Sequence, residues 1–242
     1  MTIWLKSVII ASVASTLTYA SLRDLRNREI PEITWLPSLA IVVILNVLHG
    51  NYDVIHTALS LLPAALLFAM AIFNMIGGAD FLAVLLIGLA HPLFDVLPIS
   101  LLALLYSLFI PLALMAYYVI LNSVKYRKQI LRIRCIRGRR FYLYFLGRPV
   151  SIVEFLNSKF MYPLTIPSGT GGFICRPSFS IDEAEEAVKA EIMEFIDRGV
   201  IRRNDLIWVT PAMPHVAFLL IGYVLALITP QDLILQVFKL MT

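Results

Sequence analysis

Six apolar stretches, each to be measured against the thickness of a bilayer, limit what this chain can fold into. They run approximately over residues 3–22, 33–49, 54–76, 81–96, 97–121 and 211–228. An α-helix rises about 1.5 Å per residue and the hydrocarbon core is about 30 Å thick, so roughly 20 apolar residues make one crossing. Composition agrees: 60% of the 242 residues are hydrophobic and 15% charged, against about 45–50% and about 25% in soluble domains. The expected fold class is an all-α polytopic membrane protein with about six transmembrane helices and a small cytosolic domain. The fourth stretch, "FLAVLLIGLA" followed by "HPLFD", is the weakest, because Pro92 and Asp95 predict an irregular far end. Within the first stretch "SVIIASVASTLTYASL" follows Lys6 as in a signal peptide, but the "RDLRNREIPE" behind it suits a retained helix with a charged cytosolic end rather than a cleavage site.

Orientation follows from the basic residues, which collect on the cytosolic side. The loop after the first stretch holds Arg23, Arg26 and Arg28, and residues 122–210 hold 4 Lys and 11 Arg, so these two regions carry 18 of the 20 basic residues. With both inside, six crossings leave both termini outside, in a multi-pass plasma-membrane protein. The expected domains are 1–122 with five transmembrane helices, 123–210 as the cytosolic domain, and 211–242 as the sixth helix and tail. The formal charge of +4 is on this view a topology signal, with the bilayer as partner and no nucleic acid.

Within the large loop, "VKYRKQILRIRCIRGRR" alternates cations with apolar residues, fitting either a segment lying on anionic lipid or a solvated continuation of the fifth helix. "SGTGG" (168–172) marks a loop and lacks the lysine of a phosphate cradle. "SIDEAEEAVKAEIMEFIDRG" predicts an amphipathic helix with a Ser180–Glu183 capping box, Ile181, Val188, Ile192 and Phe195 on one side, and Gly199 as its stop. In "WVTPAMP", Trp208 suits the membrane interface, and Pro211 and Pro214 suit a first helical turn. Cys135 and Cys175 stand 40 positions apart with no C-x-x-C, so two free thiols in a reducing cytosol are expected, with no disulfide framework and no metal site. The four histidines (His49, His56, His91, His215) show no ligand spacing and are read as structural.

Acidic residues near a membrane span are functional candidates, because a charge at membrane depth costs at least about 2.5–3.5 kcal/mol. Asp53 in "GNYD" and Asp95 between Pro92 and Pro98 read as solvated loop residues. Asp24 and Asp80 differ, since the threading carries both to the cytosolic face although 56 residues separate them. Two carboxylates sharing one site do not both ionise readily, so one holds a proton while the other acts as a base. Such a pair hydrolyses an amide without metal or cofactor. Gly77 and Gly78, lacking Cβ, would let a substrate backbone approach and the chain turn sharply into the fourth helix. Taken singly, each acid also has a plain structural role, Asp24 ending the first helix and Asp80 capping the fourth.

The residues that carry this chemistry also carry a resemblance. Asp24 in "SLRDLRNREIP", giving D-x-x-x-x-x-I-P up to Pro31, stands ahead of a second span, and "GGAD" opens a fourth. With "IWVTPAMP" before the last span, the pattern resembles the archaeal preflagellin (archaellin) and prepilin peptidases. These form a branch of the type IV prepilin peptidases, within the G-x-G-D intramembrane aspartyl proteases that include presenilin and signal peptide peptidase. The third motif position is Ala79 instead of glycine, a departure that weakens the kinship to presenilin-like enzymes. The resemblance implies an aspartic endopeptidase with Asp24 and Asp80 catalytic, Gly77, Gly78 and Ala79 in support, and no cofactor. It implies as substrates secreted precursors whose short basic leaders, of the class III signal-peptide type, are cut on the cytosolic side just before an apolar helix. Bacterial relatives add a zinc-binding cysteine tetrad and methyl transfer; two cysteines here leave cleavage alone. Glu29 and Glu32 lie in the same loop as Asp24, where they could attract leader cations or could be ordinary solvated carboxylates. A proton-coupled carrier or a non-catalytic membrane subunit is the rival reading, against which the aspartates lie at span ends and the chain has no inverted repeat.

Overall fold

The computed structural model describes residues 3–168, 172–177 and 185–241. In chain order the helices are α1 (Ile3–Asn27), α2 (Leu36–Leu48), α3 (Val54–Ile72), α4 (Gly78–Ala90), α5 (Ile99–Ser107), α6 (Phe109–Val124), α7 (Arg127–Arg132), α8 (Ile152–Asn157), α9 (Glu185–Asp197), α10 (His215–Ile228) and α11 (Gln231–Met241). The strands are β1 (Cys135–Arg137), β2 (Arg148–Ser151), β3 (Met161–Pro163), β4 (Thr165–Ser168), β5 (Gly172–Cys175) and β6 (Leu206–Pro211). Contacts divide the chain into a first unit, 1–110 with 214–242, and a second unit, 111–213.

The first unit is helical. α1 buries Leu5, Ile9, Val13, Leu17, Ala20, Ser21 and Asp24, a stripe at three- and four-residue spacing whose last member is charged. Ser38 of α2 meets that helix through Ser12 Oγ at 2.9 Å and Thr16 Oγ1 at 2.6 Å, the hydroxyl pairing that joins helices where water is scarce. α4 is the most enclosed helix of this group, with Ala83, Val84, Leu86, Ile87, Gly88 and Ala90 buried. Its neighbours press close: a Cβ on Gly88 would stand 2.7 Å from the Ser60 carbonyl oxygen of α3. α5 and α10 press closer, since a Cβ on Gly222 would stand 2.2 Å from the Ala103 carbonyl oxygen. Small residues admit these approaches, as dispersion and hydrogen bonding, rather than the hydrophobic effect, join helices in lipid.

Three helical stretches are long and apolar enough to cross a membrane: Ile3–Asn27, Val54–Ile72 and Ile99–Val124. Three shorter apolar ones, Glu32–Leu48, Gly78–Ala90 and His215–Ile228, fall where the other three spans are expected. The 13 residues of α4 reach only about 20 Å. A helix walled in by protein need not match the hydrocarbon thickness itself. Its far end is irregular from His91 to Pro98, as Pro92 predicts.

The second unit corrects the all-α expectation, because it holds two three-stranded sheets ordered β1-β5-β4 and β2-β6-β3. β6 is central to its sheet and antiparallel to both neighbours. Val150, Ile152, Phe155, Val188, Ile192, Ile201, Ile207 and Val209 form one core there, and Ile130, Leu143, Leu164 and Trp208 another. Trp208 is therefore not a membrane-interface residue: it is 2% exposed and meets Tyr126 edge to face. Pro211 ends the strand and Pro214 is the N-cap of α10, so the last helix starts later than residue 211. The basic segment after α6 is not a continuation of it: the helix breaks at Lys125–Tyr126, and Ile130 of α7 is fully buried.

The free-thiol expectation is also corrected, for Cys135 and Cys175 form a disulfide between β1 and β5. The two cysteines, 40 positions apart, meet through parallel pairing of those strands, a juxtaposition that spacing alone does not reveal. Gly138, at φ +84°, belongs to this turn, and a Cβ there would stand 1.6 Å from the Cys175 carbonyl oxygen. α9 closes as predicted: Val200 donates to the Phe195 carbonyl, Gly199 to that of Ile196, and Gly199 takes φ +71°, which is a Schellman stop. Val188 and Ile192 are buried; Ser180, Ile181 and Glu183 lie outside the described residues.

Candidate active site

The first turn of α10 is short of capping groups. Its N-cap, Pro214, has no side-chain hydrogen bond to give, while the opening amides of a helix lack partners of their own. The cap comes from another helix. The Val216 amide donates to Asp24 Oδ2 at 3.2 Å, and Ser21 Oγ, one turn back on α1, donates to the Val216 carbonyl at 3.3 Å. Asp24 is thus held at a helix N-terminus, where the dipole favours an anion, and it is 9% exposed. Arg28, at φ +58°, folds its guanidinium back so that Nη1 stands 3.5 Å from Asp24 Oδ1.

Asp80 reaches the same turn from α4. It is the third residue of that helix after the Gly77 N-cap, and its amide donates to the Gly77 carbonyl. Its Oδ1 lies 3.1 Å from Nδ1 of His215, the first residue of α10, with both side chains largely covered. The two acids therefore contact adjacent residues, Val216 and His215. The tertiary structure brings Asp24 and Asp80 to one turn of α10.

The glycines need a different account. Gly77 has φ −71°, and among the positive-φ residues the one nearest this turn is Asn74, at φ +53°. The sharp turn into α4 thus does not depend on Gly77 or Gly78. A Cβ on Gly77 would come only to 3.8 Å from Asp80 Oδ2, and one on Gly78 would meet nothing within 4 Å. What glycine keeps beside Asp80 is open space. Ala79 packs against the buried core of the first unit.

Other sequence candidates fall away from this cluster. Glu29 and Glu32 are exposed. Asp53 caps α3 through the His56 amide at 3.0 Å; that amide and the His56 ring hold its carboxyl below the usual range. Asp95 is exposed and lines a cavity of about 460 Å³ with Lys6, Asn46, Asn51 and His91, at the end of the first unit opposite Asp24. No group of three or more His, Cys, Asp or Glu arranged to hold a metal occurs among the described residues. His215 is the residue that spacing misses. Its signal, a titratable side chain directly after the P-A-M-P that opens the last apolar stretch, is visible only once Asp80 is known to face it.

Two family models match the chain: "Type IV leader peptidase family" over residues 11–116 and "Archaeal Peptidase A24 C-terminus Type II" over residues 139–230. No curated protein matches. The first match spans Asp24 and Asp80, and the second covers most of the second unit with all of α10. The chain belongs to the type IV leader peptidase family, with a C-terminal half of the archaeal kind, and is an aspartic-type protease acting on prepilin-type precursors.

Proposed function

We propose that Asp24 and Asp80 are the catalytic pair and that they remove basic leaders from archaellin- and type IV pilin-like precursors at the cytosolic membrane face. The observation that carries this reading is the attachment of both acids to consecutive residues at the head of α10. With one proton between the carboxylates, the ionised one takes a proton from water as the water oxygen attacks the scissile carbonyl carbon. The protonated one gives its proton to the carbonyl oxygen, producing a gem-diol. Collapse of the diol expels the amine, which takes the proton gained from water, while the other carboxylate takes a proton back from a diol hydroxyl, and the site returns to its starting charge. The open space beside Gly78 offers a path for the substrate backbone.

Six helices then cross the membrane, with the basic loop cytosolic and both termini outside, as the distribution of 18 of 20 basic residues supports. Glu29 and Glu32, both exposed, supply negative charge for the leader. Purified protein in detergent should shorten a precursor carrying a basic leader, and Asp24→Asn or Asp80→Asn should each abolish that with expression retained. Full turnover in either variant, or liposome uptake without proteolysis, defeats the reading. The double change Glu29→Gln with Glu32→Gln should weaken cleavage of basic-leader precursors, and unchanged cleavage removes those two residues from the proposal.

A further inference from the structure

We propose that His215 is a positioning residue that holds the Asp80 carboxyl and keeps the active site's proton in place up to neutral pH, an inference that rests on Asp24 and Asp80 being the catalytic pair. Three observations carry it. His215 Nδ1 lies 3.1 Å from Asp80 Oδ1, within reach of a hydrogen bond in which either group holds the proton. The imidazole is anchored at the first residue of α10, next to the Val216 amide that holds Asp24, so a single turn of helix sets both acids. The charged groups around the imidazole are few: Asp80 from α4, and Asp24 from α1 with Arg28, just past that helix, against it. α5, which also packs on α10, carries no Asp, Glu, His, Lys or Arg over Ile99–Ser107.

A dyad of carboxylates has a difficulty at neutral pH. Aspartate ordinarily titrates near 3.9. Imidazole ordinarily titrates near 6.5. The imidazole therefore gives the proton a second place to reside beside Asp80, so that it stays in the site to higher pH than one shared by carboxylates alone. When substrate arrives, that proton passes to the carbonyl oxygen through Asp80, and collapse of the diol returns it. His215 need touch neither water nor substrate, and no atom is gained or lost in the cycle.

The test is the pH profile of cleavage between pH 5 and 9, using purified full-length protein in detergent and a synthetic precursor with a basic leader and an apolar helix. His215→Asn keeps a neutral amide near the Nδ1 position, and His215→Ala removes the contact. The expected result is an alkaline limb at least one pH unit lower in His215→Asn, with KM changed less than twofold, and a kcat reduced about 10-fold or more in His215→Ala. Profiles of unchanged shape in both variants overturn the proposal, while loss of activity in Asp24→Asn and Asp80→Asn would leave the catalytic pair standing. A readout independent of turnover covers the case of a variant that does not fold. In ¹⁵N-histidine-labelled protein, Asp80→Asn should displace the titration midpoint of the His215 imidazole by more than half a pH unit, and no displacement overturns the pairing.

Discussion

Removing the Cys135–Cys175 bridge should lower the stability of the second unit by an amount that its loop length sets. The linked residues are 40 apart, and the chain-entropy relation assigns a loop of that size about 4 kcal/mol at 25 °C, lost from the native state when the unfolded chain is freed. A small domain has about 5–15 kcal/mol in total, so the loss is a large fraction. With a urea slope of about 2 kcal/mol per molar, the midpoint falls by about 2 M. The perturbation is Cys135→Ser with Cys175→Ser in full-length protein, or reduction of the wild type. Brief trypsin pulses across a urea series report it, because residues 122–210 carry 15 Lys and Arg and their fragments are identified by mass. A midpoint shift below about 0.5 M, with both thiols shown free by alkylation, refutes the reasoning that the bridge acts on the unfolded chain. Alkylation of both cysteines before reduction refutes the bridge itself.

Gly222→Ala forces a Cβ to within 2.2 Å of the Ala103 carbonyl oxygen and should cost at least about 1–3 kcal/mol; an unchanged melting temperature in detergent would contradict the close approach of α5 and α10. Asn46→Ala removes a fully buried amide that donates to the Leu89 carbonyl near the end of α4 at 3.0 Å and whose oxygen accepts from the Asn51 amide. It should cost about 1–3 kcal/mol, read by the same melt. Gly78→Ala meets no neighbour, so melting should be unaltered while precursor cleavage slows; a fall in melting temperature would show that the space beside Asp80 is already filled. EDTA should leave cleavage unaffected, and loss of activity restored by zinc would contradict a two-carboxylate mechanism.

The membrane character, the places of the six apolar segments and the two acids were legible in the order of residues, for a physical reason. Apolar length against bilayer thickness and the placement of cations are properties of contiguous chain, and helical periodicity puts Asp24 on the same face as Leu17 and Val13. The stop at Gly199 is equally local, because one left-handed glycine after an apolar run closes a helix wherever it occurs. Other features depend on groups far apart in the chain that meet only after folding. The strand β6 reads as a membrane-interface segment until its neighbours β2 and β3 supply the other halves of its hydrogen bonds. Cys135 finds Cys175 only through the pairing of β1 with β5. His215 is one more histidine at a helix end until α4 carries Asp80 to within 3.1 Å of it. Local pattern therefore decided which segments are apolar and which acids stand at their ends, whereas packing decided that those acids share one helical turn, that a histidine stands with them, and that the second unit holds two sheets.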